Sequence, residues 1–368
     1  VSHQPLSYPF ETYPAEGDAI EVADGIFWVS MPVPFVGLRQ VNVWLLRDGD
    51  SWTMIDTAYG DDRVRDLLHA VWDKILGGRR ITRLILTHFH PDHAGNMGMV
   101  AEHWGGLLPL MAQAEWFAAN LAVRGVYADQ SGDRAPFHRL HGLDPARITS
   151  TGHRREYAEG VRLATGFRRL QDGEHIAING DQWQLVRGEG HSPEHLSLYC
   201  AARKILIAGD QILPSISTNV SVLQNEPEGD PLGGFLAGCA RFQQIYDPDT
   251  LVLPSHRRPF YGVLQRLREL EEHHAERLSL VLRAAGAPIS AGELLDQMFP
   301  RALDGGQIGF AMGEALAHLN HLVERGLLER LPVRAGIQRF LRRPDAPLSL
   351  EVGSGLPDQA PGITVVNP

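Results

Sequence analysis

Within six residues, His88-Phe89-His90-Pro91-Asp92-His93, the chain sets three imidazoles and one carboxylate. Side chains two apart in an extended stretch project to one side, so His88 and His90 share a face. Asp92 and His93 are expected to open a helix running through DHAGNMGMVAEHW and to reach a second position beside the first. The positive end of a helix favours ionised Asp92 and unprotonated His93, the forms that bind metal. Imidazole and carboxylate together suit borderline-soft divalent cations such as zinc. His191, Asp210 and His256 are three further candidates, each at or just past an apolar segment. One such residue by itself is more often a packed histidine or a turn residue. Taken with the His88–His93 cluster, the three are candidates for the same site.

Ligands this far apart in sequence need a scaffold that gathers them. GIFWVSMPV and VNVWLLRDGDSWTMIDT read as strands, with Asp48-Gly49-Asp50 as a turn. DDRVRDLLHAVWDKILG has apolar residues at helical spacing and stops at Gly77-Gly78. ITRLILT is a short apolar run, as a strand covered on both faces would be, and it leads straight into HFHPDH. HIAINGDQWQLVRGEGH, LSLYCAARKILIAGD and TLVLPSH are further strand signals, with turns at Asn179-Gly180 and Ala202-Arg203, and they deliver His191, Asp210 and His256. The alternation is α/β, and strand ends on one sheet edge can converge their polar residues. Residues 111–167 break the rhythm. MAQAEWFAANLAVRG reads as an amphipathic helix and the rest mixes aromatics with His138, His141 and His153, an insertion that either covers the site or packs at its side. After Leu264 three helical segments precede LLERLPVRAGIQRFLRR, a small hairpin, which together make a winged-helix arrangement.

THFHPDHAGN resembles the HxHxDH motif of the metallo-β-lactamase superfamily. GEGHSPEH, LIAGD and LVLPSHRRPF resemble its later motifs in order, and TMIDTAYG resembles its early strand ending in an aspartate, here Asp56. The match runs from about Ala19 to Gly262. The resemblance implies a four-layer αββα sandwich over residues 1–265 with an insert at about 111–167, a small helical, winged-helix-like domain over 266–345, and a Pro/Gly-rich tail over 346–368. It also implies His88, His90 and His191 on one metal ion, Asp92, His93 and His256 on a second, and Asp210 bridging. His195 and Asp56 would support ligands rather than ligate. Ser255 and Arg257 stand where the family pattern has glycine, so the loop around His256 is expected to avoid positive φ.

Two divalent ions lower the pKa of a bridging water towards neutrality and polarise a carbonyl or phosphoryl oxygen. Asp92 is the expected catalytic residue, orienting the hydroxide and shuttling its proton. No G-x-S-x-G elbow is present, so a serine nucleophile is not called for. The expectation is hydrolysis of a small ester or thioester, with lactone and β-lactam cleavage next. Two ions are expected, zinc first, with manganese or iron compatible. Trp116, Phe117, Tyr127 and Phe137 in the insert, and Ser215, Ser217 and Asn219 after Asp210, are candidate pocket residues. One alternative is an endoribonuclease, since a similar C-terminal domain accompanies some hydrolases of that activity. Another is a mononuclear iron enzyme of the persulfide dioxygenase type. A third is a binding module without catalysis, against which the full ligand set argues.

Composition limits the partners. The formal net charge is −10, and Lys74 and Lys204 are the only lysines. Nucleic-acid binding is not expected, because it depends on neutralising phosphates. Leu316, Leu319 and Leu322 at helical spacing in the C-terminal domain read as core, and a homodimer through that domain is compatible. His138, His141, His153, His273 and His274 read as surface, insert or interface residues. Cys200 and Cys239 lie in apolar surroundings and read as buried free thiols, consistent with a reducing, cytoplasmic setting. No secretory signal and no membrane-length apolar run is visible.

Overall fold

The computed structural model describes residues 5–35, 38–124, 134–148, 160–300, 302–303 and 305–350. Its first sheet runs β1 (Ala19–Ala23), β2 (Ile26–Pro32), β3 (Gln40–Asp48), β4 (Ser51–Ile55), β5 (Ile81–Ile85), β6 (Leu110–Met111) and β7 (Arg168–Arg169) in spatial order. It is antiparallel as far as β4 and parallel from β4 to β7. The second sheet has the order β13-β12-β11-β10-β9-β8, from β8 (His175–Ile178), β9 (Asp181–Gly188), β10 (His195–Cys200), β11 (Ile205–Gly209), β12 (Leu251–Pro254) and β13 (Phe260–Tyr261).

Residue alternation explains the layering. On β2, Ile26 and Trp28 point into the core between the sheets, while Phe27, Val29 and Met31 point to the helices outside. Trp44 and Leu46 of β3 repeat this against Val41, Val43 and Leu45. A strand with both faces apolar is what a sheet buried on both sides requires. One core therefore lies between the sheets, a second between the first sheet and its helices, and a third between the second sheet and helices Pro231–Ile245 and Val263–Ala284. Four layers result.

Local signals act where expected. Asp61 caps helix Asp62–Ile75 by accepting from Val64 N at 2.8 Å, and Gly77 and Gly78 end it at positive φ. Asn179 and Gly180, both at positive φ, turn β8 into β9. The single helix expected through DHAGNMGMVAEHW is instead two short ones, Pro91–Ala94 and Met97–His103. The reason lies at Gly95 and Asn96. A Cβ on Gly95 would sit 2.5 Å from the Ala58 carbonyl oxygen, and Asn96 Nδ2 donates to the Thr57 and Tyr59 carbonyls at 2.9 and 2.8 Å. The chain after Asp56 is thereby held against the break between the two helices.

Helix Val263–Ala284 runs through residue 265 without interruption. Helices Ala291–Met298 and Gly305–Glu324 follow, the first closed by a capping box of Ser290 and Glu293. The hairpin of β14 (Leu328–Arg330) and β15 (Phe340–Arg342) completes this helical part. Leu316, Leu319 and Leu322 are fully buried, as their spacing suggests. Within the insert, helix Gln113–Val123 packs on the first sheet, while Ala135, Leu143 and Ile148 join the core of the C-terminal helices. Leu140 accepts from Gln338 N, and His141 from Gly292 N. The described part of the insert's second half thus packs beside the sandwich. Tyr127, His153 and most of the tail lie outside the described residues. Cys200 and Cys239 are buried and free. No helix among the described residues is long and apolar enough to cross a membrane.

Candidate metal centre

Strand ends deliver most of the candidates, and Asp92 and His93 stand on the short helix Pro91–Ala94. His88 follows β5 and Asp56 follows β4, while His191 follows β9, Asp210 follows β11 and His256 follows β12. His88 Nε2 lies 3.0 Å from His90 Nδ1 and 3.3 Å from His191 Nε2, and the last two are 3.0 Å apart. Asp92 Oδ2 is 3.3 Å from His256 Nε2 and 3.7 Å from His93 Nε2. Asp210 spans both groups. Its Oδ1 is 3.6 Å from His93 Nε2 and 3.4 Å from His256 Nε2, and its Oδ2 is 3.4 Å from His191 Nε2. Three overlapping groups could hold a metal ion: His88, His90 and His191; His88, His93 and Asp210; and Asp92, His93 and His256.

A cation fits this arrangement on two counts. Four-coordinate bonds of about 2.0–2.1 Å place neighbouring ligand atoms about 3.3 Å apart, which is the spacing found. Moreover, His93 Nε2, His256 Nε2 and Asp210 Oδ1 are buried without a hydrogen-bond partner. Buried polar atoms are normally satisfied, so three that converge on one point mark a missing partner.

The remaining ring nitrogens are anchored in a way that aims the ligand atoms. His256 Nδ1 is 2.8 Å from the Gln40 carbonyl, His191 Nδ1 is 2.8 Å from the Asn219 carbonyl, and His93 Nδ1 is 2.9 Å from Asp56 Oδ2. A carbonyl or carboxylate accepts a hydrogen bond from Nδ1–H and leaves the Nε2 lone pair facing inward. Thr87 Oγ1 donates to Asp56 at 2.8 Å and so accepts from His88 Nδ1 at 3.0 Å. Asp56 thus orients two histidines from a backbone position at φ 61. His195 Nε2 accepts from Asp210 N at 3.1 Å, and Gly209 must be glycine there, since a Cβ would meet that nitrogen at 2.3 Å.

Electrostatics divide the centre in two. Burial, then the neighbouring imidazoles, hold His88 well below the usual histidine range and His90 at about 3. Against the effect of burial, Asp210 and Asp92 raise His93 well above that range and His256 to about 10. His256 and His93 in turn hold Asp210 far below the carboxylate range, although burial opposes them. His88 and His90 are therefore neutral lone-pair donors, while His93 and His256 face a carboxylate-rich seat for positive charge.

Several supporting residues carried no sequence signal. Glu115, fully buried on helix Gln113–Val123, accepts from Phe89 N at 2.9 Å, Ser192 Oγ at 2.8 Å and Glu194 N at 2.6 Å, joining the His88–His90 loop to the His191 loop. Buried Asn42 donates Nδ2 to the Pro254 and Arg257 carbonyls, both at 2.7 Å. Thr218 Oγ1 donates to the Asp210 carbonyl at 2.7 Å. Among the expected pocket residues, Asn219 contributes its carbonyl to His191, while its side chain accepts from Ser221. Ser215 and Ser217 are exposed. Trp116 stacks on Phe167 and Phe137 meets His141 edge to face, so both serve packing, and Phe117 faces solvent.

Residues 36–280 match the sequence profile described as the metallo-beta-lactamase superfamily, and residues 278–343 that of a metallo-beta-lactamase-like C-terminal domain. The chain belongs to the metallo-beta-lactamase superfamily. It is a metal-dependent hydrolase of that superfamily. Among solved structures it is similar to a beta-lactamase domain protein from Burkholderia ambifaria, with TM-score 0.85 and 39% identity over 92% of this chain and 98% of the other. Among curated proteins it is 24% identical to a probable metallo-hydrolase, YqjP, of Bacillus subtilis, over 81% of this chain and 92% of that one. It is also 24% identical to the acyl-coenzyme A thioesterase MBLAC2 of Gallus gallus, over 70% and 86% of the two chains. One expectation for this superfamily member is overturned. The loop around His256 does not avoid positive φ, because Arg257 lies at φ 72. The Asn42 bond to its carbonyl, together with Asn42 N donating to Ser255 O at 2.6 Å, holds the loop in that conformation.

Proposed function

We propose that this chain hydrolyses a small thioester or ester, with His88, His90 and His191 holding one divalent ion, Asp92, His93 and His256 a second, and Asp210 bridging them. The observation that carries the reading is Asp210, whose two oxygens each lie 3.4 Å from a histidine of a different triad. Bound there, zinc, manganese or iron would lower the pKa of water and polarise the carbonyl under attack. The chain's own residues hold and move the rest. Thr87, Asp56, Asn219 and Gln40 keep the imidazoles in one tautomer. Asp92 takes the proton of the attacking water as the carbon–oxygen bond forms. It returns that proton to the leaving thiolate or alkoxide as the carbon–sulfur or carbon–oxygen bond breaks. The name of the Gallus gallus relative supports a thioester, and lactone and β-lactam carbonyls present the same electrophile.

Elemental analysis paired with thioester, lactone, β-lactam and phosphodiester substrates tests this. Two divalent ions per chain and thioester turnover are expected. A metal-replete protein inert to all four contradicts the proposed substrate class. A single iron per chain favours the dioxygenase-type alternative.

A further inference from the structure

We propose that Arg39 and Arg257 form an oxyanion-recognition pocket beside His256, selecting substrates whose thioester or ester carries a carboxylate or phosphate on the same small molecule. The proposal rests on the hydrolase reading of the same centre and names its substrate class. A cavity of about 280 Å³ is lined by Tyr13, Leu38, Arg39, Gln40, His256 and Arg257. At about 30 Å³ for each water displaced, it takes a group of on the order of ten non-hydrogen atoms. His256 forms one wall, and through it the cavity adjoins the ligand cluster.

One feature of Arg257 points to a ligand. Its Nε is buried with no hydrogen-bond partner. Among the described residues neither Arg39 nor Arg257 forms an ion pair, whereas Arg63, Arg162 and Arg241 each hold a carboxylate at hydrogen-bond distance. The adjacent Arg258 spends its guanidinium on the Phe10 and Glu11 carbonyls. Two unpaired guanidiniums lining one cavity, in a chain of formal charge −10, make a local site for an anion. The planar fork of arginine matches carboxylate and phosphate oxygens in pairs.

The test compares acetyl and succinyl thioesters of one small thiol, read as the ratio of kcat/KM for the charged to the neutral substrate. The wild type is expected to favour the succinyl thioester. Arg257→Gly, which suits φ 72 and so preserves the fold, and Arg39→Gln are each expected to lower that ratio by about ten-fold or more. Arg257→Lys keeps part of it. A ratio that both variants leave within about two-fold of the wild type overturns the proposal. If the wild type hydrolyses neither thioester, the substrate reading fails, and calorimetric binding of succinate and of methyl phosphate to the metal-replete protein still decides the pocket. Binding that weakens about ten-fold in the variants supports it and shows which oxyanion it prefers. Equal affinity in all three proteins, or no binding, overturns it.

Discussion

Glu115 stands outside the groups that could hold a metal, yet it holds two loops that carry candidate ligands. One oxygen takes the N–H between His88 and His90, and the other takes the hydroxyl and N–H that follow His191. Burial pushes its carboxyl up to about 7, with those three bonds pulling the other way. Glutamine keeps the shape but turns an amino group towards a donor, and a buried group left unsatisfied costs about 1–3 kcal/mol. Glu115→Gln is therefore expected to lose stability of that order in urea. It should also weaken metal binding by about ten-fold or more, as loss of a ligand's supporting contact does. Chelator competition measures the second effect, and unchanged affinity would refute the clamp. This residue escapes a reading of the sequence because its partners stand 26, 77 and 79 residues away. Asn42 escapes for the same reason, with its carbonyl partner Pro254 212 residues on. The convergence of His88, His90, Asp92 and His93 was legible because its geometry is set by spacing within one turn of chain. Arg257 marks the opposite failure: a missing glycine was taken to forbid positive φ, and a distant clamp imposes it.

Elements were legible where period and punctuation agreed. β2 and β3 alternate between two cores, and Asp61 and Gly77 bound the first helix. The helix after Pro91 was misjudged because its break depends on contacts with the segment after Asp56, which no window of local sequence contains. Helix Gly305–Glu324 carries its own test. Burial pushes Glu314 up to about 7, with Arg277 opposing. An acid with a raised folded pKa keeps a proton that the unfolded chain releases, so stability falls as pH rises from the usual glutamate range to about 7. Glu314→Gln removes that cost. The variant should match the wild type in urea midpoint near pH 4.5 and exceed it at pH 7.5. A difference that is the same at both pH values would contradict the assignment.

At the scale of the whole molecule, two sheets present their strand ends along one edge, and seven side chains from four separate segments meet there. That convergence followed from the α/β pattern together with the motif resemblance. How the insert packs did not, because amphipathic pattern says that a helix buries a face and not which layer receives it. Helix Gln113–Val123 and the segment around Ala135 found different cores. The central claim is that the converging side chains surround a pair of cations. Anomalous diffraction at the zinc edge from crystals grown with zinc tests it most directly. Two peaks are predicted, one bonded to His88, His90 and His191, the other to Asp92, His93 and His256, with Asp210 reaching both. A single peak, or peaks elsewhere with the seven side chains unliganded, would contradict the account.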